Sequence, residues 1–123
     1  MNIVDSSGWL EYFSDGKNAE FFQKPIRDTK NLVVPTIILF EVFKKIILQK
    51  DESAALEAMG VLMQGRVVDL TKPVALNAAR ISVKYKIPMA DSIILATARH
   101  ENAVLWTEDV HFKSLPGVKY ILK

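Results

Sequence analysis

Short apolar runs alternate with stretches of helical spacing along this chain. Residues 2–4, 32–34, 66–70, 103–106 and 118–122 are mostly apolar and bounded by turn formers or acids, so they read as strands. Residues 6–13, 18–26, 36–49, 52–63, 72–85 and 89–101 carry apolar positions at helical spacing and read as helices. Punctuation supports these limits. Ser14-Asp15-Gly16 closes the first helix, and Pro25 falls near the end of the second. Pro35 closes the second strand, and Thr36 is placed to N-cap the long third helix. The fourth helix ends near Gly65. Thr71 precedes the fifth helix, which has Pro73 in its first turn, and Ile87-Pro88 separates that helix from the sixth.

Strands separated by helices predict an α/β domain with a mostly parallel sheet. Ligands of such sheets bind beyond the carboxyl ends of the strands, where the returning helices begin. Four acids fall at that edge. Asp5 ends the first strand, and Asp109 follows the fourth. Glu41 lies in the second turn of the third helix, and Asp91 in the first turn of the sixth. Like charges crowded into one pocket are costly unless a cation neutralises them, so the set points to a divalent metal and phosphate chemistry.

Each acid also has a simple local explanation. Asp5 can cap the helix at Ser6, and Asp91 can face the positive end of its helix. Glu41 can pair with Lys45 or Lys44, and Asp109 can start a turn. The argument for a site rests on all four acids reaching one edge.

Composition narrows the class. A chain of 123 residues, half of them apolar, suits one domain over residues 1–123. No apolar stretch reaches the roughly 18 residues of a membrane span, and the start lacks the basic region of a signal peptide. No membrane association and a cytoplasmic location are therefore expected. The absence of cysteine excludes disulfides, thiolate zinc sites and cysteine nucleophiles. Net charge is +2, from 16 basic and 14 acidic residues. With the four acids set apart, the remaining surface is clearly basic, which suits a polyanion held near a metal. Glycine-rich phosphate loops and a nucleophile elbow are absent; His100 and His111 lack partners at zinc spacing and read as surface residues, though His111, two residues after Asp109, is also placed where it could lie near the pocket.

The chain resembles the PIN-domain family. Ile3-Val4-Asp5-Ser6-Ser7 is similar to its first motif, and Pro35-Thr36 followed by Glu41-Val42 to its second. Ile87-Pro88-Met89-Ala90-Asp91-Ser92 with the small-residue helix beyond is similar to the third. Thr107-Glu108-Asp109-Val110-His111-Phe112 is similar to the fourth, a Thr-x-Asp with an aromatic residue three positions on. The compact chain looks most like VapC-type toxins of toxin–antitoxin pairs.

The resemblance implies a five-stranded sheet of order 3-2-1-4-5 flanked by helices. It implies a Mg²⁺- or Mn²⁺-dependent endoribonuclease leaving 5′-phosphate and 3′-hydroxyl ends, a homodimer, and an antitoxin that blocks the acidic cleft. Asp5, Glu41, Asp91 and Asp109 become the acidic set, supported by Thr107 and Ser6. Asp5 and Asp91 are the first choices for direct metal ligands, Asp109 holds the metal or its water shell, and Glu41 acts through water. Glu108 is expected to point elsewhere. Lys44, Lys45, Arg80, Lys84, Lys86 and Arg99 are candidates for steering RNA. Two other readings remain open: a PIN nuclease of RNA processing without an antitoxin, and a non-catalytic module that binds RNA or protein.

Overall fold

Five short parallel strands form two ladders, packed side by side and joined by a single bridge. The computed structural model describes residues 1–123. Strand β1 (Asn2–Val4) pairs with β4 (Val104–Thr107), which pairs with β5 (Val118–Tyr120). Strand β2 (Val33–Pro35) pairs with β3 (Arg66–Val68). A lone parallel bridge between Asn2 and Leu32 sets the two ladders side by side. The sheet is thus a three-stranded and a two-stranded ladder rather than one continuous five-stranded ladder. Ile3, Val4, Val33, Val34 and Leu105 are all buried, because helices cover both faces of a parallel sheet.

Helix α1 (Ser6–Phe13) follows β1 directly, and α2 (Ala19–Arg27) and a 3₁₀ turn (Thr29–Asn31) lead to β2. After β2 come α3 (Thr36–Gln49) and α4 (Glu52–Leu62), then β3. Helices α5 (Lys72–Tyr85) and α6 (Met89–His100) precede β4, and a second 3₁₀ turn (Val110–Phe112) lies before β5. Trp9, Phe22, Ile38, Leu62, Ile94, Leu95 and Phe112 are among the fully buried side chains of one continuous core. Each element therefore buries its apolar face against the same interior, the main stabilising term for a domain of this size.

Some boundaries differ from the sequence reading. Pro35, not Thr36, occupies the N-cap of α3, and no side chain caps that helix. Proline supplies the extended backbone needed before a helix but has no acceptor to offer. The third strand ends at Val68, two residues short of the expected limit. Asn18 is the N-cap of α2 rather than its first residue, and its amide is committed elsewhere.

Helix starts fall into two groups. Asp51 accepts from the Ala54 N–H at 2.8 Å and Thr71 from the Val74 N–H at 3.5 Å, capping α4 and α5. Helices α1, α3 and α6 have no side-chain cap. Helix α2 also lacks one; α1, α3 and α6 are the helices at whose starts Asp5, Glu41 and Asp91 lie.

Candidate metal centre

Asp5, Glu41, Asp91 and Asp109 line one open cleft, together with Ser6, Ser7, Lys45 and Glu108. Their placement follows from the elements beneath them. Asp5 is the N-cap residue of α1, yet its side chain makes no cap bond. Its Oδ2 instead accepts from Ser7 Oγ at 2.7 Å and Thr107 Oγ1 at 2.9 Å. Both bonds converge on one oxygen, so Oδ1 remains for another partner. Thr107 is fully buried at the end of β4, and its Oγ1 also accepts the Asp109 N–H at 2.9 Å. One hydroxyl therefore ties the first carboxylate to the backbone of the fourth.

Asp109 opens the 3₁₀ turn and accepts the His111 N–H at 2.9 Å. Phe112, fully buried, anchors this turn in the core. Asp91 sits in the first turn of α6, with Oδ2 2.9 Å from His111 Nδ1. Glu41 projects from the second turn of α3. Its Oε1 is buried and has no hydrogen-bond partner, and Glu41 forms no ion pair with Lys44 or Lys45.

The electrostatics match this crowding. Burial raises the Asp5 carboxyl above its ordinary value; the Ser7 and Thr107 hydroxyls oppose this, while Asp109 adds to it. Burial also raises Glu41, reinforced by the charge of Asp5 and opposed by the Ser6 hydroxyl. Asp91 is pushed up to about 6, by burial first and then by Asp109 and Asp5, with His111 pulling the other way. The positive ends of α1, α3 and α6 lie at this cleft and offset part of the repulsion.

A family model described as PIN domain matches residues 3–118. The chain belongs to the PIN-domain family. No curated protein sequence matches it. Among solved structures, the PIN domain here is similar to a protein of a toxin–antitoxin complex from Klebsiella pneumoniae. The two are 22% identical over 97% of this chain and 96% of the other, with a TM-score of 0.80. A sarcin–ricin-loop-cleaving VapC toxin from Mycobacterium tuberculosis is 16% identical over 97% and 99% of the two chains, at a TM-score of 0.74. A chain of the DNA-bound VapBC structure from Salmonella typhimurium is 15% identical over 98% of both chains, at a TM-score of 0.76. At these identities the likeness establishes the fold.

The PIN acidic set fits a hard divalent cation. Its donors are carboxylate oxygens, the type preferred by Mg²⁺ and Mn²⁺. The orphaned Glu41 Oε1 is a buried acceptor that needs a donor or a cation. The carboxyls of Asp5, Glu41 and Asp91 are raised by burial first, with neighbouring acids adding to it, so the ionised set gains from a nearby cation.

Other residues fall differently from the sequence reading. Ser7 donates to Asp5, and the nearby Ser6 hydroxyl favours the ionised form of Glu41. His111 is half exposed but bends onto Asp91 and Asp109 instead of facing solvent alone. The signal available in the sequence was its position two residues after Asp109 and beside the buried Phe112. Glu108 is buried, with its Oε1 held by Asn18 Nδ2 at 3.1 Å and its carboxyl raised by burial and by Glu11. Of the basic candidates, Lys45 lines the cleft, while Arg80, Lys84 and Arg99 line a separate groove between α5 and α6. No helix is long and apolar enough to cross a membrane.

Proposed function

We propose that this PIN protein is a divalent-cation-dependent endoribonuclease of the VapC toxin type. The observation that carries the reading is the buried, unpartnered Glu41 Oε1 in the cleft that Asp5, Asp91 and Asp109 also line. Asp5 and Asp91 are the proposed direct ligands of Mg²⁺ or Mn²⁺, Asp109 holds the ion or its water shell, and Glu41 acts through water. When bound, the cation supplies an acidified water and charge neutralisation at phosphorus.

The protein's own residues set up the reaction. Thr107 and Ser7 fix the Asp5 carboxylate so that it need not reorganise as charge develops. Thr107 also fixes the start of the turn carrying Asp109. The carboxylate cluster orients the attacking water and accepts its proton. A bond forms between the water oxygen and phosphorus, the bond from phosphorus to O3′ breaks with O3′ taking up a proton from solvent, and the products are 5′-phosphate and 3′-hydroxyl ends. Lys45 at the cleft wall steers the phosphate backbone. An open cleft suits single-stranded or loop RNA, whose bases can splay.

The proposed partners are a small antitoxin that covers the acidic cleft and a second copy of this chain. The antitoxin reading is supported by the toxin–antitoxin complexes among the similar structures. Exposed Leu76 and Val83 on α5, and Phe40 and Leu48 on α3, are apolar surface for such partners. The cytoplasm is the proposed place of action.

The test is cleavage of a mixed panel of structured RNAs by purified, antitoxin-free protein in Mg²⁺, Mn²⁺ or EDTA, with Asp5→Asn in parallel. Metal-dependent cutting absent from Asp5→Asn is expected. Equal cutting by both proteins exposes a contaminating ribonuclease. Absence of both cutting and metal binding would overturn the reading in favour of a non-catalytic module.

A further inference from the structure

We propose that His111 is a direct nitrogen ligand of the cleft's divalent cation and biases the site toward manganese over magnesium. The inference rests on the cation reading above and extends it to a residue outside the acidic set. His111 Nδ1 lies 2.9 Å from Asp91 Oδ2 and 3.3 Å from Asp109 Oδ1. One potential ligand atom from each of the three residues falls within 4.8 Å of the other two. Neighbouring donors around an octahedral ion with bonds of about 2.1 Å stand roughly 3 Å apart. The two nitrogen–oxygen separations thus match adjacent corners of one coordination sphere. A hydrogen bond accounts for the shorter contact, but a single Nδ1–H cannot point along both.

The ring is held in this position from below. The His111 N–H bonds to Asp109 Oδ1 at 2.9 Å, and the next residue, Phe112, is buried in the core. The imidazole therefore faces the two acids without a large search of backbone conformations. Half of its side-chain surface remains exposed, so Nε2 can carry the ring proton toward water while Nδ1 presents its lone pair. An independent sign of a missing positive partner beside Asp91 and Asp109 is the buried Glu41 Oε1 of the cleft they line. Magnesium favours an all-oxygen shell, whereas imidazole suits transition metals better, so a nitrogen in the shell shifts selectivity toward Mn²⁺.

The experiment uses the full chain without RNA. Mn²⁺ is titrated, its binding is followed by loss of the free-ion electron paramagnetic resonance signal, and the bound ion is probed by pulsed resonance for ¹⁴N coupling. Competition with Mg²⁺ gives the ratio of affinities. The wild type is expected to show ¹⁴N coupling that disappears in His111→Gln and persists in His100→Gln. Mn²⁺ affinity is expected to fall about tenfold or more in His111→Gln, and the Mn²⁺-to-Mg²⁺ affinity ratio to fall with it. Thermal melts of each variant verify folding, and His111→Ala gives a second variant. Bound Mn²⁺ without ¹⁴N coupling, or coupling that survives both substitutions at position 111, overturns the proposal while leaving the cation reading intact. Failure of Mn²⁺ and Mg²⁺ to bind at all overturns both.

Discussion

Thr107 Oγ1 donates to Asp5 Oδ2 at 2.9 Å, joining the ends of neighbouring strands β4 and β1 beneath the acidic cleft. The same oxygen accepts the Asp109 N–H, so it uses donor and acceptor capacity at once. Thr107→Val keeps the side-chain shape and removes both bonds. Metal affinity is expected to fall about 10- to 100-fold, as for lost partners of other ligands. Unfolding stability should fall by about 1–3 kcal/mol because the Asp109 N–H and Asp5 lose a buried partner. Calorimetric titration and urea denaturation check the two effects.

Acidification should stabilise the cation-free protein. The Asp91 carboxyl lies at about 6 in the fold against an ordinary 3.8, and Asp5 and Glu41 are raised in the same direction. Between those two values the folded state holds more protons than the unfolded chain, so stability falls as pH rises through this window. In EDTA, the melting temperature should therefore be higher near pH 5 than near pH 7. Asp91→Asn should raise the melting temperature near pH 7 and flatten its pH dependence. A variant melting no higher than wild type in EDTA would count against this account.

Adding Mg²⁺ or Mn²⁺ should remove much of that pH dependence. A cation that binds the folded state alone raises stability with its free concentration and favours the ionised carboxylates. Melts across a metal series at neutral pH should rise steadily for wild type and hardly at all for Asp5→Asn.

Gly8 is a packing requirement. A Cβ there would stand 2.5 Å from Phe22 Cδ1 and 2.8 Å from Val4 Cγ1. The aromatic ring is fully buried and cannot swing clear, so Gly8→Ala should destabilise by about 1–3 kcal/mol. Since α1 also carries Ser7, the same change should weaken metal binding. Denaturation and calorimetry on the same sample measure both.

Asn18 holds the end of the chain. Its Nδ2 donates to Glu108 Oε1 at 3.1 Å and to the Leu122 carbonyl at 3.0 Å. Asn18→Ala should cost about 1–3 kcal/mol through the buried Glu108 left without this partner. Faster amide exchange near Leu122 would show release of the terminal segment.

The elements were legible where the sequence punctuates itself. Asp5, Pro35 and Ile87-Pro88 stop or start regular structure by local backbone chemistry, and the observed limits follow them. The alternation of strand and helix also sufficed to bring the four acids to one edge. Thr36 misled because a good capping residue beside a proline says nothing about which of them takes the cap position. The break in the sheet was hidden because ladder pairing depends on strand twist and helix packing, not on any residue between Asn2 and Leu32. For His111, its position two residues after Asp109 suggested nearness to the pocket, but not the contact it makes. Its contact with Asp91 spans 20 positions and depends on how the turn after β4 settles over α6.

The meeting of the ladders at Asn2 and Leu32 gives cation binding a mechanical meaning. Asp5 leaves β1 in one ladder, while Glu41 follows β2 in the other. Repulsion between these carboxylates acts across the seam where main-chain pairing is thinnest. Under the proposed cation binding, an ion held by Asp5 and reached by Glu41 through water would act as a removable rivet, replacing a wedge of like charge with a link across the sheet. Hydrogen exchange should then slow along the seam when the ion binds, including at amides that touch neither carboxylate.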